Sequence, residues 1–195
     1  MILIIVRHGE TRENSRDIIQ GHMDGSITRK GIMQAETAAA EISRYKADAI
    51  FSSDLGRAVK TANEIAKYQH ARVYYSKALR ERKVGTFEGR KRSEFHEYRR
   101  SQGIEEHSFR PSGGENYADV KRRAVSFIRR VYKKYRNGTV IIVTHGVVIR
   151  ALVSSYAGIP LRKSPGIKVR NAGWIVFDVK DGKRAVEIEN GLEIE

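Results

Sequence analysis

The chain has 195 residues, 40% of them hydrophobic and 31% charged, and this balance excludes an intrinsically disordered protein. The absence of cysteine excludes disulfide bonds, thiolate catalysis and cysteine-ligated metals, and the absence of a membrane-length apolar run or a leader-like start indicates a cytoplasmic protein without membrane contact. Lys plus Arg number 37 against 23 Asp plus Glu, and the net charge of +14 attracts anions such as phosphorylated metabolites, nucleic acid or acidic lipid.

The hydrophobic pattern predicts alternating strands and helices. In chain order these are a strand at 2–6, a helix from Thr28 to about 45, a strand at 49–52, a helix from Asp54 to about 68, a weaker strand at 72–75, a helix at 115–136, a strand at 139–144 and a helix at 147–156. A hairpin follows, with strands at 174–179 and 184–189 around a turn at Asp181-Gly182. We expect one domain, residues 1–195, folded as a three-layer α/β/α sandwich with a mainly parallel sheet and the antiparallel hairpin at one edge.

Three predicted strand ends carry residues suited to binding an anion. They are RHG (7–9), SSD (52–54) with Arg57 shortly after it, and THG (144–146). Ligands bind beyond the carboxyl ends of parallel strands, so two arginines and two histidines are expected in one crevice. Each tripeptide alone is weak evidence, because a lone histidine is more often satisfied by local hydrogen bonds.

That set of side chains matches the needs of phosphoryl transfer. The planar guanidinium of arginine fits two phosphate oxygens at once. A neutral histidine can attack phosphorus, and a protonated one can neutralise the oxygens of the transition state. Cationic side chains can therefore replace a metal, and no cluster of convincing metal-ligand spacing occurs in the sequence.

Six segments, in order and well separated, resemble the histidine phosphatase superfamily, which includes cofactor-dependent phosphoglycerate mutases and many small phosphatases. They are RHGETREN (7–14), QGHMDGSITRKGIMQA (20–35), SSDLGRAVKTA (52–62), LRE (79–81), GGEN (113–116) and VTHG (143–146). The resemblance implies a phosphoglycerate mutase-like fold and these catalytic residues: Arg7, His8, Arg57, Glu81 and His145. It implies these substrate-binding residues: Arg7, Asn14, Gln20, Gly21, Arg57, Glu81, His145 and Gly146.

The resulting hypothesis is hydrolysis of a small phosphorylated metabolite through a phosphohistidine on His8. Glu81, assigned only by the resemblance, would protonate the leaving oxygen and later activate water. His8 must be neutral and His145 is best charged, although both start from a pKa of about 6.5. The surroundings of the two rings are therefore expected to separate their pKa values.

A phosphoglycerate mutase is the alternative enzyme. Mutases of the family are longer and carry a sizeable insertion, whereas residues 89–113 are short here, which favours a phosphatase. The dipeptide Glu81-Arg82 and the segment YRRS (98–101) resemble mutases instead. Only this alternative would need a cofactor, 2,3-bisphosphoglycerate.

Residues 82–112 are expected to form a small cap over the site. Its basic residues either select a substrate with a second negative charge or form a solvated helix face: Arg90, Lys91, Arg92, Arg99 and Arg100. A further enzymatic alternative is a protein phosphohistidine phosphatase, which would need a shallow site open to a polypeptide.

The alternative of another class is a nucleic-acid-binding protein. Basic residues line the outer face of the helix predicted at 115–136: Lys121, Arg122, Arg123, Arg129, Arg130, Lys133 and Lys134. No recognised binding motif or aromatic platform accompanies them, so only weak, nonspecific binding is expected. The sequence leaves the oligomeric state open.

Overall fold

The computed structural model describes residues 1–182 and 185–190 of the chain. Its strands are β1 (Ile2–Arg7), β2 (Ala49–Ser52), β3 (Val73–Tyr75), β4 (Thr139–Thr144), β5 (Trp174–Val179) and β6 (Ala185–Asn190). Its α-helices are α1 (Arg12–Ser15), α2 (Arg29–Ile42), α3 (Gly56–Ala66), α4 (Arg92–Ser101), α5 (Tyr117–Lys134) and α6 (Gly146–Tyr156). Short 3₁₀ turns lie at Lys77–Leu79, Gly85–Phe87 and Leu161–Gly166.

The strands form one sheet in the order β3-β2-β4-β1-β5-β6. The four strands from β3 to β1 are parallel, whereas β5 runs antiparallel to β1, and β6 antiparallel to β5. The predicted mainly parallel sheet with an antiparallel hairpin at one edge is therefore confirmed. Arg184, the predicted start of the second hairpin strand, lies outside the described residues.

Both faces of the sheet are covered, which explains why its central strands are continuous apolar runs. In β1, Leu3 and Ile5 pack into a core shared with α5 and α6. Ile4 and Val6 point the other way, into a core shared with α2 and α3. This alternation confirms the three-layer sandwich.

The predicted N-cap at Asp54 is wrong. Helix α3 begins at Gly56 after Leu55, and no side chain caps it. The Asp54 carboxylate instead accepts two hydrogen bonds from the Arg80 guanidinium, at 2.7 and 2.6 Å. A bidentate charge-assisted pair is stronger than a single cap hydrogen bond, so the carboxylate turns away from the helix.

The cap segment, residues 82–112, contains α4 and packs through its own small apolar cluster. The members of that cluster are Ile19, Val84, Phe87, Phe95 and Phe109. This cluster is separate from the two cores beside the sheet, and residues of the segment line a pocket together with Arg7 and His8 at the end of β1. No helix within the described part of the chain is long and apolar enough to cross a membrane.

Candidate active site

Three parallel strands place the predicted residues together at the carboxyl ends of the strands. Because β2, β4 and β1 are neighbours, the residues that follow them converge. The rings of His8 and His145 face each other with centroids 5.2 Å apart and planes inclined by 57°. The structure thus brings together both histidines, beside Arg7 and Arg57.

The ring of His8 is held in one tautomer. Its Nδ1 lies 2.8 Å from the carbonyl oxygen of Gly9, and only 2% of the residue is exposed. A carbonyl oxygen can only accept, so Nδ1 carries the proton and Nε2 keeps its lone pair when the ring is neutral. The nitrogen available for attack is therefore Nε2.

Close backbone packing fixes the loop that carries His8. A Cβ at Gly9 would lie 2.1 Å from the carbonyl oxygen of Gly31 in α2, so only glycine fits there. The Gly9 N–H donates to the hydroxyl of Thr61 in α3 at 3.0 Å. Two helices therefore position the residue after His8.

Arg57 is 1% exposed and is oriented by backbone carbonyls. Its terminal nitrogens donate to the carbonyl oxygens of Met23 at 2.7 Å and Gly21 at 2.8 Å. Its buried Nε has no partner among the described residues. Gly21, at φ +50°, thus lines the pocket and also orients Arg57 through its carbonyl group.

Arg7 also has unused donor capacity. One terminal nitrogen donates to the carbonyl oxygen of Val169, whereas its buried Nε is unpaired within the described part of the chain. Burial lowers the pKa of Arg7 to about 10, which still leaves the guanidinium charged at pH 7. Unpaired buried guanidinium N–H groups are costly, so this arrangement favours an anionic ligand.

The pKa values of both histidines lie well below the usual value. Burial is the first cause for each ring and the positive charge of Arg57 the second, and for His145 the charge of His8 comes next. Both rings are therefore neutral at pH 7 in a shared dry, cationic environment. A charged His145, as expected from the sequence, would need a bound anion to raise the pKa of that ring.

Glu81 is fixed at its backbone and at one carboxylate oxygen. Its Oε1 accepts hydrogen bonds from the backbone N–H groups of Arg82 at 2.8 Å and Val147 at 3.2 Å. Its carbonyl oxygen lies 2.8 Å from His22 Nε2 and accepts from Arg123 at 2.9 Å. These contacts leave Oε2 without a hydrogen-bond partner among the described residues.

Asn14 presents a donor to the pocket. Its Oδ1 accepts hydrogen bonds from the Thr11 N–H at 3.2 Å and from the Asn171 side chain at 3.1 Å. The amino end of the carboxamide therefore remains available to an anion. Gln20 also lines the pocket, and its buried Oε1 has no partner in the described ranges.

The remaining predicted site residues, His145 and Gly146, adjoin the residues that line the pocket. His145 is fully buried, and neither it nor Gly146 is part of the lining. Both ring nitrogens of His145 lack partners among the residues described. Gly146 is the first residue of α6, where an added Cβ would lie 3.8 Å from Arg7 Nε and from Glu81 Oε2.

The basic cap residues mostly point away from the pocket. Of the five arginines and lysines considered, only Arg92 lines it. Arg99 donates to the carbonyl oxygen of Ile104 at 2.6 Å, and Lys91 donates to that of Arg16 at 3.0 Å. A role for Arg99 and Arg100 in binding a second charge is therefore not supported.

Other lining residues were not expected from the sequence. They are Ile18, Ile19, Arg82, Val84, Phe95, His96, Glu106, Val147 and Arg150. Val147 and Arg150 share a helix face at a three-residue spacing, a signal that could have identified Arg150. No such pattern marks Glu106, which lies in an irregular loop. The described residues contain no group of three or more His, Asp or Glu side chains that could hold a metal ion.

Known proteins resemble the chain along nearly its whole length. Phosphoserine phosphatase 1 of Hydrogenobacter thermophilus is 33% identical over 190 residues, covering 94% of this chain and 89% of that protein. Phosphoglycerate mutase-like protein 4 of Arabidopsis thaliana is 34% identical over 189 residues, covering 93% and 81%. The structure of Entamoeba histolytica phosphoserine phosphatase in complex with 3-phosphoglyceric acid has a TM-score of 0.83 at 27% identity, covering 97% of this chain and 95% of that one.

A family profile agrees with these relatives. The profile described as "Histidine phosphatase superfamily (branch 1)" matches residues 3–190. It spans the sheet, both flanking helix layers and the cap. The resemblance noted in the sequence is confirmed: this chain belongs to the histidine phosphatase superfamily.

Proposed function

We propose that this protein hydrolyses a small phosphomonoester through a phosphohistidine on His8, without a metal ion. The observation that carries the proposal is the tautomer of His8, which leaves Nε2 unprotonated in a pocket where two buried guanidinium groups are incompletely paired. A nucleophile needs the lone pair, and a phosphate needs the donors. The phosphatases among its relatives support the same reaction class.

In the first step, Arg7, Arg57 and the Asn14 amino group hold the phosphate. Nε2 of His8 attacks phosphorus, the bond from phosphorus to the ester oxygen breaks, and Glu81 Oε2 gives its proton to that oxygen. His145 takes up a proton as the dianion binds and neutralises charge on the phosphoryl oxygens. The products of this step are the free alcohol and phosphohistidine.

In the second step, water replaces the alcohol. Glu81, now a carboxylate, takes a proton from water while the water oxygen attacks phosphorus. The bond between phosphorus and Nε2 breaks, which restores the lone pair of His8 and releases inorganic phosphate. Glu81 thus acts first as an acid and then as a base at one position, as microscopic reversibility requires.

Release to water rather than transfer to another acceptor is favoured by the small cap. The segment above the pocket holds one ten-residue helix, α4, and two loops. A mutase must keep water from the phosphoenzyme, whereas a cap of this size leaves it accessible. Measuring 3-phosphoglycerate isomerisation with and without 2,3-bisphosphoglycerate, beside inorganic phosphate release, distinguishes the two: we expect phosphate release in both conditions.

A screen of phosphorylated metabolites with wild type and His8→Ala tests the proposal as a whole. We expect phosphate release by the wild type and none by the variant, at equal folding by thermal denaturation. A gel shift with DNA at two salt concentrations addresses the nucleic-acid alternative, for which we expect only weak, salt-sensitive binding. Specific DNA binding without any hydrolysis would contradict the proposed function.

A further inference from the structure

Beyond the phosphate position, Arg150 lines the pocket as a cation with unused hydrogen-bonding capacity and no carboxylate partner among the described residues. Its Nε donates to the carbonyl oxygen of Ile167 at 2.8 Å, which fixes the side chain. Its two terminal nitrogens make no hydrogen bond within the described part of the chain. These nitrogens form a fork that matches a carboxylate.

Glu106 lines the same pocket as an anion with unused hydrogen-bonding capacity. Its Oε1 accepts a hydrogen bond from the Tyr117 hydroxyl at 2.9 Å. Its Oε2 is 3.8 Å from His96 Nδ1, too far for a hydrogen bond. Burial lowers the pKa of His96, so this neighbour is neutral at pH 7 and does not cancel the charge of Glu106.

The other arginines of this wall have partners of their own. Arg82 donates to the carbonyl oxygens of Glu115 and Phe109. The charge of Arg92 is already paired with Asp17, at 2.9 Å at the exposed rim. Apart from the residues assigned to the phosphate and its leaving group, Arg150 and Glu106 are therefore two opposite charges of the described pocket lining that remain open to a ligand.

Tyr117 and Arg7 locate this pair relative to the phosphate site. Burial raises the pKa of Tyr117, and the charge of Arg150 opposes that rise, while the Tyr117 hydroxyl bonds Glu106. The charge of Arg150 also adds to the effect of burial in lowering the pKa of Arg7. Arg150 is thus near enough to both Arg7 and Tyr117 for its charge to act on them, and Tyr117 is the residue that bonds Glu106.

We infer that the pocket selects a phosphorylated amino acid: Arg150 binds the carboxylate and Glu106 the ammonium group beside the phosphate. This inference deepens the proposed function and rests on it. A substrate that carried a second anionic group but no cationic group would supply no partner for Glu106. A substrate with neither charge would bury both side chains unpaired, which binding sites penalise strongly.

Four substrates with one phosphate each test the inference on the wild-type enzyme. O-phosphoserine carries both charges, and 3-phosphoglycerate replaces its ammonium group with a hydroxyl. Phosphoethanolamine lacks the carboxylate, and 2-hydroxyethyl phosphate lacks both groups. We expect kcat/KM to be highest for O-phosphoserine and lowest for 2-hydroxyethyl phosphate, each charge contributing roughly tenfold or more.

Glu106→Gln and Arg150→Gln then assign the two charges. Glu106→Gln retains an oxygen for the Tyr117 hydroxyl, and we expect it to lower kcat/KM about tenfold for the two ammonium substrates alone. We expect Arg150→Gln to act in the same way on the two carboxylate substrates alone. Glu105→Gln and Arg100→Gln are matched controls, because neither side chain lines the pocket.

Three results would overturn the inference. They are equal hydrolysis of all four substrates, a preference for 3-phosphoglycerate over O-phosphoserine, and a loss in either variant that is the same for all four. The wild-type comparison needs no variant, so misfolding cannot leave the question undecided. No phosphate release from any substrate would instead contradict the proposed function itself.

Discussion

The side-chain amide of Asn171 donates a hydrogen bond to the carbonyl oxygen of His8, 3.2 Å away. The same nitrogen lies 3.1 Å from Oδ1 of Asn14, so one amide joins the His8 loop to the side chain that we propose binds the phosphate. Because Asn171 supplies the donor, Asn14 must present its oxygen to Asn171 and its amino group to the pocket. Asn171 is therefore a positioning residue for both.

Two substitutions of Asn171 distinguish removal of this hydrogen-bond donor from its replacement by an acceptor. We expect Asn171→Ala to lower kcat/KM about tenfold and Asn171→Asp about 100-fold. The carboxylate of the Asp variant repels the His8 carbonyl oxygen and Asn14 Oδ1. The Asn14 side chain is then expected to turn its oxygen toward the phosphate. Protonation of the new carboxyl restores a donor, so the Asp variant should recover relative to the Ala variant as the pH falls. A constant ratio between the two variants from about pH 7.5 to pH 5 would argue against this role.

The pair between Asp54 and Arg80 predicts a pH-dependent stability. Hydrogen bonds from Arg80 lower the pKa of Asp54 in the folded protein. A depressed folded pKa means that the stabilisation is present above the unfolded value of about 3.8 and is lost as the pH falls through the lower folded value. We expect Asp54→Asn to cost about 0.5–1 kcal/mol at pH 7, since the pair is partly exposed.

Urea denaturation at pH 7 and near pH 3 measures this difference. The difference in the free energy of unfolding between wild type and Asp54→Asn should be smaller at the lower pH. Asp17→Asn, which breaks the more exposed pair with Arg92, serves as the control and should change stability less. A gap that is unchanged or wider near pH 3 would contradict the assignment.

The convergence of His8, Arg57 and His145 was predictable because it depends on strand order alone. Continuous apolar runs identify parallel strands, and neighbouring parallel strands place their carboxyl ends side by side. The failure of Asp54 to cap helix α3 was not predictable from local sequence. Aspartate is a favoured N-cap residue, but Arg80, which lies 26 positions later, binds the Asp54 carboxylate only once the chain has folded.

Residues that act through tertiary contacts left no periodic signal. Asn171 and Glu106 lie in irregular loops, and only the folded chain shows that they reach His8 and the pocket wall. The lowered pKa of His145 in the absence of an anion was not predicted from the sequence for a related reason. Burial dominates the pKa shifts of both histidines, and its extent follows from packing rather than from neighbouring sequence.

The two neutral histidines predict that anion binding takes up a proton. Sulfate keeps two charges across the neutral range, so it adds no proton of its own. A dianion beside His145 should raise the pKa of that ring, and we expect uptake of up to one proton at pH 7. Calorimetric titration with sulfate in two buffers of different ionisation enthalpy measures it. His8→Asn should retain the uptake and His145→Asn should lose it; equal uptake in both variants would contradict this prediction.

The same shifts predict how stability varies with pH when no anion is added. The folded pKa of each histidine is below its unfolded value of about 6.5, so the unfolded chain binds more protons below that pH. The free energy of unfolding should therefore fall as the pH drops from 6.5, by at most about 1.4 kcal/mol per pH unit for each ring. Denaturation between pH 7.5 and 5 should show a shallower decline in His145→Asn. An equally steep decline in that variant would show that His145 is not the source.

The covalent intermediate is the most direct measurement of the central claim. Wild type and Glu81→Gln are mixed with a hydrolysable phosphomonoester, quenched in alkali, where phosphohistidine survives, and mapped by mass spectrometry. We predict phosphorylation of His8 alone, with more phosphoenzyme in Glu81→Gln when a good leaving group is used, because its second step lacks the base. Turnover without any modification of His8, or phosphorylation of another residue in its place, would contradict the account.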